Sequence, residues 1–206
     1  MKLAQKEGYR ARAAYKLKEI DEELKLLKPG QLVVDLGAVP GAWSQYVRRK
    51  FAPKDAGAGG AASGALNGAI IALDLLDFQP IEGVTFIQGD FREDETFQAV
   101  AAAVGTGKVE LVLSDLSPNI SGIESADQAR SVYLGERALE FAREALQPGG
   151  DLVVKAFQGA GFSELERQFR ACFDKVHMRK PKASRDRSRE VFLVAKGLRP
   201  SSTGGA

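Results

Sequence analysis

Two periodicities alternate along this chain. Ala13, Leu17, Ile20, Leu24 and Leu27 recur three and four residues apart, the spacing of a helix with one buried face, and Pro29-Gly30 closes the pattern. Short apolar runs follow: LVVDLG at 32–37, AIIALD at 69–74, VTFIQGD at 84–90, VELVLSD at 109–115, DLVVKAF at 151–157, KVHM at 175–178 and VFLVAK at 191–196. Helical stretches separate them. A long one before the fifth run carries Leu134, Ala138, Phe141, Ala142 and Ala145 on one face and ends at the turn Pro148-Gly149-Gly150. Strands separated by helices predict an α/β fold, a mostly parallel sheet with helices on both faces. The last two runs have only a short charged link, as in an antiparallel hairpin. One run contains an oddity. Lys155 interrupts residues suited to a buried parallel strand, so it either reaches back to water or is held for a purpose.

Composition narrows the class. The chain has 206 residues, 44% of them hydrophobic, which suits one domain with a full core, expected here over 1–198. A Gly/Ala-rich segment, 53–69, reads as an insertion loop, and 199–206 reads as a disordered tail. No stretch approaches the roughly 20 apolar residues that span a bilayer. The polar N-terminus is unlike a secretory signal. Cys172 is the single cysteine and His177 the single histidine, which excludes an internal disulfide and leaves little for a metal site or a histidine triad. A cytoplasmic monomer without metal or membrane is the expectation.

Charge distribution matters more than the net charge of +2. Residues 1–20 carry a local +4 and residues 175–190 a local +5, against −7 for the stretch between. Two basic ends on an acidic body suit a polyanion, if the fold joins them. Taken alone, each is also an ordinary solvated surface.

Candidate chemistry lies at the ends of the apolar runs. VVDLGAVPGAWSQ places Gly37 and Gly41 where the first strand must turn into a helix, so that backbone can approach a ligand. The spacing is neither a dinucleotide fingerprint nor a phosphate loop, and a purely structural turn remains an alternative. Asp74 ends the second run, where an acid typically receives ribose hydroxyls about 20 residues after the turn. The interval is 37 residues, or 20 once the 17 of the insertion are removed. Asp90 ends the third run and suits an adenine amino group. Either acid alternatively caps the next helix. Asp115 ends the fourth run, Lys155 sits in the fifth, Lys16 flanks the apolar stripe of the first helix, and Glu190 opens the last run. In a sheet of order 3-2-1-4-5 these ends converge on Gly37. Each charge alone would be a surface ion pair of little energetic weight.

The runs VVDLGAVPGAWSQ, ALD, QGDF, SDLSPN, VVKAFQG and SREVFLVA, in this order, closely resemble the RrmJ/FtsJ family of S-adenosylmethionine-dependent ribosomal RNA ribose 2′-O-methyltransferases. The resemblance runs from about Gly8 to Lys196. It implies a Rossmann-like methyltransferase sheet of order 3-2-1-4-5-7-6 with strand 7 antiparallel. It also implies a catalytic tetrad of Lys16, Asp115, Lys155 and Glu190, and S-adenosylmethionine contacts at Gly41, Trp43, Asp74, Asp90 and Asp115, which join Gly37, the candidate from the turn. The implied substrate is a uridine in large-subunit ribosomal RNA, in the aminoacyl-tRNA-facing loop of the peptidyl transferase centre, on an assembled subunit. Lys6, Arg10, Arg12, Arg185, Arg187 and Arg189 are the candidate RNA contacts, although a solvated turn accounts for the last three arginines equally well.

The chain departs from the family at Ala42, which replaces a glycine and is tolerated if its φ is negative. Its shorter basic N-terminal segment implies a smaller RNA footprint. Rival readings differ in class. Base N-methylation would show Asn/Asp-Pro-Pro-aromatic where the chain has Asp115-Leu116-Ser117-Pro118-Asn119, and base C5 chemistry needs a catalytic cysteine, whereas Cys172 reads as core. The glycine spacing disfavours a nicotinamide dehydrogenase. Methylation of another RNA ribose, in transfer RNA or an mRNA cap, and a non-catalytic ribosome-assembly factor remain as alternatives.

Overall fold

The structure is a computed structural model that describes residues 2–53, 66–185 and 187–200. Six helices and seven strands follow in the order α1 (Lys2–Lys6), α2 (Ala13–Leu24), β1 (Leu32–Leu36), α3 (Ala42–Phe51), β2 (Ala69–Asp74), β3 (Val84–Gln88), α4 (Asp94–Val104), β4 (Val109–Ser114), α5 (Glu124–Ala145), β5 (Leu146–Phe157), α6 (Phe162–Cys172), β6 (Phe173–Arg179) and β7 (Glu190–Leu198). The strands form one sheet of order β3-β2-β1-β4-β5-β7-β6. The first five pair in parallel, and β7 runs antiparallel between β5 and β6. This is the order and sense that the resemblance implies.

Strand alternation sorts the core into two layers, because successive side chains point to opposite faces. Val33, Ile70, Leu111, Leu113, Val153, Phe192 and Val194 pack beneath α2 and α3. Val34, Ile71, Val112, Leu152, Val154 and Leu193 pack beneath α4, α5 and α6. Both layers are apolar, so the central strands read as continuous hydrophobic runs rather than alternating ones. Among the described residues no helix is long and apolar enough to cross a membrane.

Three boundaries differ from the sequence expectation. Helix α2 ends at Leu24, not Leu27, because Lys25 adopts a left-handed φ of 52° and the Asp21 carboxylate accepts the Leu27 N–H at 2.8 Å. Strand β5 starts at Leu146, ahead of the expected turn Pro148-Gly149-Gly150 and not at Asp151. Leu146 pairs with Val109 and Asp151 with Leu111, so residues 147–150 bulge out opposite Glu110. Arg199, expected in a disordered tail, donates its N–H to Cys172 O at 2.9 Å and pairs with Asp174 at 3.2 Å. Most of the 53–69 insertion and the last residues of the tail, 201–206, lie outside the described residues.

Candidate active site

The carboxyl ends of β1, β4 and β5 adjoin, and each carries one of the expected groups. After β1 the chain turns through Gly37, with φ of 72°. The Gly37 and Ala38 N–H groups both donate to Leu73 O, at 2.9 and 3.1 Å. A Cβ on Gly37 would meet the Leu116 side chain at 2.6 Å, so the turn and the β4–α5 loop need a glycine there. Gly41, with φ of 101°, precedes α3. Ala42 opens that helix, and Lys25 is the single non-glycine residue with positive φ among those described, so the methyl group at 42 is accommodated.

An open cavity of about 390 Å³ extends from this turn across the ends of β2 and β3, lined among others by Gly37, Asp74, Asp90, Arg92, Pro118 and Tyr133. Asp74 accepts the N–H of Val39 on one oxygen and of Leu76 on the other, each at 2.9 Å. A carboxylate has about four acceptor positions, so two remain for a diol. Asp90 accepts the backbone N–H of Arg92 at 3.0 Å and chelates its guanidinium. That pairing with Arg92 holds the Asp90 carboxyl below its usual range. Helix α4 is instead preceded by Glu93, so neither acid serves as its cap.

Three expected cofactor residues do not line the cavity: Asp115 sits with Lys155, and Trp43 and Gly41 lie elsewhere. The Trp43 ring is buried, donates its indole N–H to Ala13 O at 2.8 Å and packs against Phe192. It is core and not a cavity wall. Gly41 also lies off the wall. A Cβ there would meet Phe78 at 2.8 Å and Ile81 at 2.9 Å, so protein packing accounts for that glycine. Arg92 and Tyr133 line the cavity without having been singled out in the sequence, since neither stands at a strand end.

The four charged groups do meet. Lys155 Nζ lies 3.2 Å from Asp115 Oδ1 and donates to the Asp115 backbone carbonyl at 2.9 Å. Lys16 Nζ lies 2.6 Å from Glu190 Oε1. The lysine side chains retain only 8% and 16% exposure, so solvent screens neither pair as it would at the surface. Burial raises the Asp115 carboxyl, opposed by Lys155 and then Lys16, while Glu190 adds to the rise. Glu190 is lowered on balance. Burial would raise it, but Lys16 and the Ser184 hydroxyl, which donates at 2.8 Å, outweigh that, with Lys155 contributing. Ser184 is a member that sequence reasoning missed, since nothing in PKASRDR marks it.

The candidate RNA contacts divide. Lys6, Arg185 and Arg187 are exposed. Arg12 donates to Ala183 O at 3.0 Å, and Arg189 pairs with Glu124 at 2.8 Å. Arg10 is committed to the fold, donating to Pro40 O and Pro80 O at 3.0 and 3.1 Å while lying over Phe78.

Comparison with known proteins bears on this arrangement. The FtsJ-like methyltransferase family matches residues 9–198. The chain is 64% identical over 199 residues to ribosomal RNA large subunit methyltransferase E of Methylibium petroleiphilum, covering 97% of this chain and 89% of that protein. It is 62% identical to the protein of the same name from a Polaromonas species, covering 97% and 80%. A crystal structure described as a ribosomal RNA methyltransferase of Plasmodium falciparum superposes with a TM-score of 0.79 at 28% identity, over 92% of this chain and 98% of that one.

Proposed function

This chain belongs to the FtsJ-like methyltransferase family, and from that premise we infer that it moves a methyl group from S-adenosylmethionine to a ribose 2′-hydroxyl of large-subunit ribosomal RNA. The observation that carries the reading is Lys155, placed by a buried strand between Asp115 and the Lys16–Glu190 pair beside an open cavity. The cavity fits the cofactor. Its length spans three strand ends, Asp74 has free acceptor positions for the ribose diol, and Asp90 reaches an adenine amino group if it shares Arg92. S-adenosylmethionine supplies a methyl group already activated by a sulfonium.

The protein must therefore align the ribose oxygen and remove its proton. Alignment alone is worth roughly 7–11 kcal/mol of barrier. Lys155 Nζ donates to the Asp115 backbone carbonyl, and Asp115 Oδ1 lies 3.2 Å away as an ion-pair partner. Lys155 is the base to which the hydroxyl proton passes. With S-adenosylmethionine bound, the oxygen–carbon bond would form as the carbon–sulfur bond breaks, and the hydroxyl proton would pass to Lys155 Nζ. The resulting ammonium sits between Asp115 and Glu190. Lys16 keeps Glu190 ionised and in place. The acceptor is taken to be a uridine on an assembled large subunit, in keeping with the family resemblance.

The test uses methyl-labelled S-adenosylmethionine and large ribosomal subunits from a strain lacking the activity, with the labelled nucleotide then mapped. Label on one ribose is expected; label on a base, on protein or nowhere would overturn the reading. Lys155→Arg separates a base from an orienting cation, because arginine keeps the charge but does not deprotonate. A loss of roughly 10²–10⁴ in rate with retained cofactor binding is expected. Near-normal turnover by this variant would remove Lys155 as base.

A further inference from the structure

A second cavity, of about 250 Å³, is lined by Pro118, Ile120, Gln128, Phe157, Ser188 and Arg189 among others. Its walls come from the same three segments that carry catalytic groups. Pro118 lies three residues after Asp115, and Phe157 lies two after Lys155, on the same face of β5. Phe157 pairs across the sheet with Glu190. The Gln158 N–H donates to Arg189 O at 3.0 Å and ties the two walls together.

Three features suggest what fills it. First, Pro118, Ile120 and Phe157 give the lining an apolar, partly aromatic part among the polar Glu124, Asp127, Gln128, Ser188 and Arg189, and Ile120 is 72% exposed. Second, the Gln128 amide is fixed. Its Nε2 donates to Phe157 O at 2.9 Å and to Ala160 O at 3.1 Å, which uses both hydrogens and sets the flip. Gln128 lines the cavity, and with both Nε2 hydrogens committed its Oε1 is the amide atom left to accept a hydrogen bond. Third, Arg189 and Glu124 form an exposed ion pair at the rim, at 2.8 Å. An exposed pair holds weakly, so a phosphate can take the arginine.

We propose that this cavity seats the nucleobase of the acceptor nucleotide, stacked on Phe157 and Ile120, and that Gln128 Oε1 accepts a ring N–H from its Watson–Crick edge. The inference rests on the RNA-methyltransferase reading and deepens it. Single-stranded or extruded bases are bound in this way, by stacking on one face and hydrogen bonds on the edge. Uracil, with N3–H, and guanine, with N1–H, satisfy the acceptor; cytosine and adenine present a lone pair at that position and leave Gln128 unmatched. A site built to bond an N–H rejects strongly the analogue lacking it.

The experiment uses large subunits reconstituted around ribosomal RNA ligated to carry uridine, cytidine or N3-methyluridine at the methylated position. With the wild-type chain, kcat/KM is expected to fall by at least about 100-fold for both replacements. Gln128→Met removes the acceptor at similar volume, and its preference for uridine over cytidine should shrink to within a few-fold. Binding of S-adenosylmethionine alone should be unchanged in this variant, which also shows that it has folded. Wild-type methylation of N3-methyluridine at the uridine rate would overturn the base pocket even if Gln128→Met fails to fold. So would an undiminished preference in a folded variant. Failure to methylate the uridine subunit at all would instead sink the proposed function.

Discussion

Asp35 shows what a single residue contributes that a run of letters hides. It sits within the strand β1 with no exposed surface, and its Oδ2 accepts the Ser44 hydroxyl at 2.6 Å while Oδ1 has no hydrogen-bond donor among the described residues. Burial pushes its carboxyl up to about 7; Ser44 opposes the rise, and Asp115 and Asp74 add to it. An unfolded aspartate titrates near 3.9, so between about pH 4 and pH 7 the folded chain holds a proton that the unfolded chain has released. The stability associated with this proton is fully present below about pH 4, is lost as pH rises through about 7, and is absent above. Asp35→Asn cannot ionise and keeps an acceptor for Ser44. Unfolding in urea at pH 5 and pH 8 should show the parent losing about 2.5 kcal/mol more than Asp35→Asn across that interval. Parallel pH curves for the two chains would contradict the buried, proton-holding carboxyl. In the sequence, VVDLG draws attention to its glycine, and Asp35 passes as a neighbour of the turn. Its oddity is burial on both faces of a central strand, which only the assembled layers reveal.

Elements were legible where the apolar pattern was long, and their ends were not. The strands follow from short apolar runs, the parallel sense from the helices between most of them, and the full order from the family resemblance. The end of α2 was hidden, because Leu24 and Leu27 continue the helical spacing past the last helical residue. What stops the helix is tertiary. Asp21 takes the Leu27 N–H, the Tyr46 hydroxyl and the Lys50 ammonium at 2.8, 2.8 and 2.9 Å, and Lys25 turns left-handed to allow it. A non-glycine residue in that conformation costs roughly 1–2 kcal/mol, partly offset by the entropy glycine would lose on folding. Lys25→Gly should therefore stabilise the chain by about 0.5–1 kcal/mol, read as a rise in Tm of about 2 °C in a thermal melt, with methyl transfer unaffected. A lower Tm would show that the Lys25 side chain contributes more than its backbone costs. The start of β5 was hidden for a similar reason. Pro148-Gly149-Gly150 reads as a turn, yet a bulge keeps the backbone in the sheet on either side of it. The candidate site shows the same division. Asp115, Lys155, Lys16 and Glu190 stand at element ends that pattern and resemblance locate, whereas Ser184, Arg92, Tyr133 and Gln128 are brought in by packing.

At the scale of the molecule, the two basic ends become one surface. Helix α2 lies against the segment that joins β6 to β7. Glu19 accepts the N–H groups of Lys182 and Ala183 at 2.6 and 3.1 Å, Arg12 reaches Ala183 O, and Arg179 pairs with Glu23 at 2.8 Å. Local charges of +4 and +5, which the sequence holds more than 150 residues apart, thus flank the Lys16–Glu190 pair from two sides. Not every arginine there is available to RNA. Arg10 spends its guanidinium on Pro40 and Pro80, while Arg185 and Arg187 are exposed. Counterion release makes the distinction measurable, since each phosphate contact contributes roughly 0.7–0.9 to the slope of log affinity against log salt. Binding of unmethylated large subunits, titrated at a series of potassium chloride concentrations, should lose about 1.5 from that slope in the Arg185→Ala/Arg187→Ala double variant. Arg10→Ala should leave the slope near its parental value and lower thermal stability instead, because the side chain ties the turn before α3 to the segment before β3. An unchanged slope in the double variant would place the RNA backbone elsewhere. A slope lowered equally by Arg10→Ala would mean that its contacts within the fold are surrendered when RNA binds.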